Sequence, residues 1–141
     1  MSAAWSVAVA AVFVWLGMVL AISFIEAPLK FRAPGVTPAL GLGIGRLVFR
    51  ALNTCEAVLA ATVVMALLVD RPSAAALVAV AVTVFVLVVQ LVGVRPALTR
   101  RSNAVLTGTD GPRSNSHYVY VALELVKVIG LVVTGTLLLG A

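Results

Sequence analysis

Residues 46–69 read RLVFRALNTCEAVLAATVVMALLV, and their apolar part, residues 57–69, is too short for a bilayer whose hydrocarbon core takes about 20 residues of helix. A full span is reached only by running the helix back through Glu56, Asn53 and Arg50, so this segment carries ionisable groups into the membrane. The remaining sequence excludes a soluble domain. Of 141 residues, 62% are hydrophobic and 11% charged, with a mean hydropathy of +1.18, whereas a soluble domain carries about 25% charged residues. Three further apolar runs, at about 5–25, 73–94 and 117–139, join 50–69 to make four spans, with 26–49 as an interfacial segment. The first run lacks a basic residue before it and is longer than the core of a cleaved leader, so it reads as a retained helix. The expected fold is all-α, an integral membrane four-helix bundle forming one domain over 1–141.

The net charge of +5 comes from ten Lys or Arg against five Asp or Glu. In a soluble chain that would suggest nucleic acid. Here Lys30, Arg32, Arg46 and Arg50 lie between spans one and two, and Arg95, Arg100, Arg101 and Arg113 between spans three and four, against Arg71 alone on the opposite side. The positive-inside rule then places both basic loops in the cytoplasm and both termini outside. This is the expected topology of a multi-pass protein of a bacterial cytoplasmic (inner) membrane in contact with anionic lipid, with no nucleic-acid partner. So large a bias also argues against the dual topology of small antiparallel exporters.

Comparing the halves at an offset of 68 positions aligns Pro28 with Pro96, Arg32 with Arg100 and Glu56 with Glu124. The pattern fits a parallel pseudo-repeat of two hairpins about an axis along the membrane normal, which brings Glu56 and Glu124 to one depth.

An ionisable group at the bilayer centre costs about 2.5–3.5 kcal/mol on insertion scales, so such groups face a bundle interior or a cavity. All of them fall in the inner half. Glu26 ends span one, Glu56 lies well inward of the outer turn, Gln90 is near the inner end of span three, and Glu124 and Lys127 follow His117 in span four. The outer half holds little beyond Thr62, Thr134 and Thr136, whose hydroxyls can bond their own helix. At about 100° per residue, Arg46, Arg50 and Asn53 form one stripe flanked by Glu56, while His117, Tyr120, Glu124 and Lys127 form another. Such a network either fixes helix register or lines a pocket open to the cytoplasm. The pocket is the preferred reading, because apolar isosteres would hold a bundle at little cost. Its expected members are Glu26, Asn53, Glu56, Gln90, His117, Tyr120, Glu124 and Lys127, with Glu56 or Glu124 exchanging a proton as ligand binds.

Between the first two spans, Thr37 is a good N-cap with Pro38 at the first helical position, so a helix begins there and runs along the interface through Gly41, Gly43, Gly45 and Arg46. Gly41 and Gly45 have GxxxG spacing, which reads as helix packing. GLGIGR at 41–46 follows no strand and is no dinucleotide fingerprint, whereas Lys30, Arg32, Arg46 and Arg50 suit a small anion or a lipid headgroup. Trp5 fits an outer interface belt, and Trp15 reads as lipid-facing or packed. The single cysteine, Cys55, allows no intrachain disulfide. His117 is the only histidine, so one chain cannot supply bis-His haem ligation. Cys55, His117 and Glu124 lack metal-site spacing, and Ser23 with His117 lacks a protease motif. No cofactor is named by the sequence.

The run from Glu26 to Lys30 with Phe31, then Gly41 to Arg46, Phe49, and Asn53 to Glu56, resembles a group of small four-span bacterial membrane proteins. The resemblance covers about the first half of the chain and implies the four-span fold, but neither an activity nor catalytic residues. The functional expectation is an oligomeric transporter of a small solute or ion with proton linkage. The alternatives are an accessory or anchor subunit binding lipid or quinone beside a larger membrane complex, and, ranked below it, an intramembrane enzyme acting on lipid headgroups.

Overall fold

The computed structural model describes residues 1–94, 100 and 116–140. Among these, four helical stretches are long and apolar enough to cross a membrane: Ala3–Arg32, Pro38–Val69, Ala74–Gly93 and Tyr118–Leu139. The α-helices within them are α1 (Ala3–Val19), α2 (Pro38–Val69), α3 (Ala74–Val89) and α4 (Ser116–Leu139). The chain is a multi-pass membrane protein with an all-α four-helix bundle fold.

Three starts are capped by hydroxyls. Ser2 accepts from the Trp5 N–H, Thr37 from that of Leu40 and Ser73 from that of Ala76, each satisfying a donor that the first helical turn leaves unpaired. α1 does not stop at Val19. It widens into a π-helical stretch, Leu20–Glu26, in which the Ala27 N–H reaches back to the Ile22 carbonyl, and then tightens through Ala27–Leu29 and Lys30–Arg32. Pro28 gives the reason: it has no N–H for the carbonyl one turn back, and its ring crowds that carbonyl unless the ladder opens. The return to α2 passes through Gly35, whose φ of +83° suits a residue without Cβ. Residues 26–49 are thus helical on both sides of this turn, and α2 runs unbroken from Pro38.

The helices meet through residues spaced alternately three and four apart. α1 buries Ala8, Val12, Trp15 and Val19; α3 buries Ala76, Val80, Thr83 and Leu87, with Gln90 next in register just after it; α4 buries Tyr120, Glu124, Lys127, Leu131, Thr134 and Leu138. That is the spacing of shallow left-handed packing. Lipid is as apolar as leucine, so close fit rather than hydrophobicity holds such helices together. Small residues provide it. A Cβ on Gly135 would lie 2.7 Å from the Phe13 ring, and one on Gly130 would collide with the Thr83 hydroxyl. The outer surface is equally apolar: Phe85 is 67% and Leu68 65% exposed, as suits a surface in contact with acyl chains.

α1 packs along α2 and α4, and α3 along α4, whereas α2 and α3 make little contact despite the short turn joining them. An apolar groove lined by Val64, Leu77, Val84 and Phe85 runs between those two helices. At the end away from the basic residues the Ser2 hydroxyl donates to the Asp70 carboxylate, and the Trp5 indole donates to the Leu138 carbonyl at 2.9 Å. Both termini therefore gather beside the turn that joins α2 to α3.

The offset of 68 positions reappears in the packing. Ala8 and Ala76, Val12 and Val80, Val19 and Leu87, Glu56 and Glu124, and Val63 and Leu131 are pairwise equivalent and all buried. A second π-helical stretch, Gln90–Val94, follows α3 as Leu20–Glu26 follows α1, and Pro96 stands 68 positions after Pro28. Pro96 itself lies outside the described residues. The two hairpins share a plan, but the seam between α1 and α4 is closed while its counterpart between α2 and α3 stays open.

Candidate functional site

Lys127 projects from α4 into the bundle, and every donor of its ammonium is used. Nζ lies 2.5 Å from Glu56 Oε1 on α2 and 2.5 Å from Glu124 Oε1 one turn back on α4, and it donates to Gln90 Oε1 at 2.8 Å. Gln90 returns a hydrogen bond from Nε2 to Glu124 Oε1 at 2.8 Å, with the Tyr120 carbonyl at 3.5 Å. From α1 the Trp15 indole N–H donates to Glu56 Oε1 at 2.9 Å. All five side chains are buried, so one polar layer takes a group from each hairpin helix. Two carboxyls share one ammonium. With every group ionised the layer carries one negative charge more than positive, and Glu56 Oε2 and Glu124 Oε2 remain buried without a hydrogen-bond partner.

On the basic side of this layer lies a half-open cavity of about 970 Å³, within the range of small-molecule sites. Its walls come from the end of the first helical stretch, from the first half of α2 and from α4. Lys30, Arg46, Arg50 and Asn53 supply polar groups, Phe24, Phe31, Phe49 and Tyr120 supply rings, and Glu124 also lines it. Phe49 meets Tyr120 edge to face at 5.9 Å. Lys30 Nζ lies 5.6 Å and 5.8 Å from the centroids of Phe31 and Phe49 and 3.6 Å from Glu26 Oε2. Three cations stand in the wall, one of them paired with Glu26, and Arg46 and Arg50 give their part of the cavity a field that draws anions.

Of the residues singled out in the sequence, Glu56, Gln90, Glu124 and Lys127 converge in the layer, and Tyr120 joins it through its carbonyl. Asn53 lines the cavity, Glu26 pairs with Lys30 near its rim, and the side chain of His117 lies outside the described residues. Lys30, Arg46 and Arg50 line the cavity, whereas Arg32 is exposed and does not. Gly41 and Gly45 serve close packing, here against the helical end of the first stretch: a Cβ on Gly41 would fall in the Phe31 ring and one on Gly45 would sit 3.0 Å from Lys30 Nζ. They form a notch that seats the returning end of the first helical stretch and holds Lys30 in the cavity wall.

Trp15 is the participant that sequence reasoning missed. Its signal was register: Trp15 lies as far inward from Ser2 as Glu56 does from Asp70, to within one residue, and it shares the buried spacing of Ala8, Val12 and Val19. An indole N–H at that depth needs an acceptor. On the other side of the layer, away from the basic residues, the hydroxyls of Thr62, Thr134 and Thr136 donate to the carbonyls of Val58, Gly130 and Val133 on their own helices. Among the described residues no three His, Cys, Asp or Glu cluster as a metal site. The chain matches no protein-family model, no curated protein and no solved structure, so the site's own chemistry carries the functional reading.

Proposed function

We propose that the protein is a small carrier in a bacterial inner membrane that takes a solute bearing an anionic group from the cytoplasmic side, working as an oligomer with proton linkage. The observation that carries this reading is a solute-sized cavity lined by Lys30, Arg46 and Arg50 and backed by an ion-paired layer. The layer joins the two pseudo-equivalent hairpins through Glu56 and Lys127, and repeat interfaces are where carriers of this general construction place their sites. Its surplus negative charge gives a proton a place to bind as the solute arrives or leaves.

Proteoliposomes loaded with a cell metabolite extract test the reading, with released solutes read by mass spectrometry. Solute release by the wild type, lost in Glu56→Gln, supports it, and release no faster than from empty vesicles refutes it. The dry outer half favours a second reading, an accessory subunit whose one-sided cavity holds a lipid headgroup or quinone. That reading expects no flux, and a stoichiometric protein partner after mild extraction.

A further inference from the structure

Charge is distributed unevenly along the cavity. Lys30, Arg46 and Arg50 line it on the side away from the polar layer, and Glu26 pairs with one of them, Lys30. At the opposite pole Glu124, 1% exposed, belongs to a layer with two carboxyls on one ammonium. Glu124 Oε1 already receives Lys127 and Gln90, while Oε2 is buried with no hydrogen-bond partner. A buried acceptor left unpaired calls for a partner, and here one with positive charge also corrects the deficit of the layer. The poles are well separated. Arg50 precedes Glu56 by about 9 Å along α2 at 1.5 Å per residue, and Glu124 is level with Glu56 because both meet Lys127.

We propose that the cavity recognises a zwitterion with separated poles: a phosphate held among Lys30, Arg46 and Arg50, and a primary ammonium that pairs with the carboxylate of Glu124, whose side chain lines the other end. Arginine pairs suit phosphate oxygens. Phosphoethanolamine has the required chemistry, either as a free solute or as the headgroup of a lipid. The assignment rests on reading the cavity as the solute site proposed above.

Binding to the purified full-length protein in detergent tests it by calorimetry. The probes are phosphoethanolamine and dihexanoyl phosphatidylethanolamine, their trimethylated counterparts phosphocholine and dihexanoyl phosphatidylcholine, and inorganic phosphate. A trimethylammonium keeps the charge but has no N–H to donate, so the wild type is expected to prefer the primary ammonium by about tenfold. Whichever of the free and lipid forms binds more tightly identifies the source. Glu124→Gln is expected to erase most of that preference. Thr62→Val, whose hydroxyl serves only its own helix beyond the layer, should keep it, and Arg50→Gln should weaken all the phosphate probes together. The proposal is overturned by a wild type that binds none of these probes, that binds both ammonium types equally, or that binds phosphate alone as tightly as phosphoethanolamine. It is also overturned by a preference that survives in Glu124→Gln. The wild-type comparison requires no variant to fold. An intact ammonium preference without flux removes the carrier reading alone, whereas flux lost in Glu56→Gln without the preference removes this one alone.

Discussion

Lys127→Met removes the one cation of the buried layer and keeps nearly the same length of side chain. Both carboxyl groups meet Nζ at 2.5 Å, so their Oε1 atoms lie no more than about 5 Å apart. Once the ammonium is gone, two carboxylates at that distance repel by about 3 kcal/mol at an effective dielectric constant of about 20. Loss of one partner from a buried ion pair typically costs about 3–5 kcal/mol, of the same size. The single variant should therefore lose about 3 kcal/mol, and the triple variant Glu56→Gln, Glu124→Gln, Lys127→Met should recover to within about 1 kcal/mol of wild type, since neutral groups leave no charge uncompensated. Reversible unfolding in mixed micelles with increasing dodecyl sulfate measures this, with Trp15 in the layer as a fluorescent reporter. A single variant within about 1 kcal/mol of wild type, or a triple variant no better than the single, refutes the reasoning.

Trp15→Phe keeps a ring in the core but withdraws the N–H from Glu56 Oε1, and the same titration should show a loss of about 1–2 kcal/mol. Trp5→Phe, which gives up a partly buried bond to the Leu138 carbonyl, should cost less, about 0.5 kcal/mol as for typical interhelical hydrogen bonds in membranes. Gly130→Ala drives a methyl into the Thr83 hydroxyl, and overpacking of this kind should cost about 1–3 kcal/mol. Adding Thr83→Ala should restore most of that loss, and a double-mutant cycle showing additive effects would contradict the contact.

The apolar runs, the start at Thr37 and Pro38 and the convergence of Glu56, Gln90, Glu124 and Lys127 were all legible, because membrane insertion makes length and buried charge strong signals. The faces of the helices were much less so. In water an amphipathic stripe marks the core side, but here Phe85 faces lipid and Val80 faces the bundle, and both are apolar. Which helices pair closely, and that α2 and α3 stand apart, therefore left no trace in periodicity. The notch at Gly41 and Gly45 was visible as a spacing, but its occupant comes from a turn whose path depends on Pro28 and Gly35 together. Trp15 was hidden by its own apolar body. Only the register between Ser2 and Asp70, a tertiary fact, sets its indole against Glu56.

The central claim is that the polar layer closes an aqueous cavity reached from the basic side of the bundle. Cysteine accessibility tests this most directly, in a Cys55→Ser background with a membrane-impermeant maleimide applied to right-side-out and inside-out vesicles. Asn53→Cys, in the cavity, should label only when the cytoplasmic face is presented, and Ala60→Cys, one turn beyond Glu56 in the dry half, should label from neither face. Labelling of Ala60→Cys, or of Asn53→Cys from outside, would contradict the account.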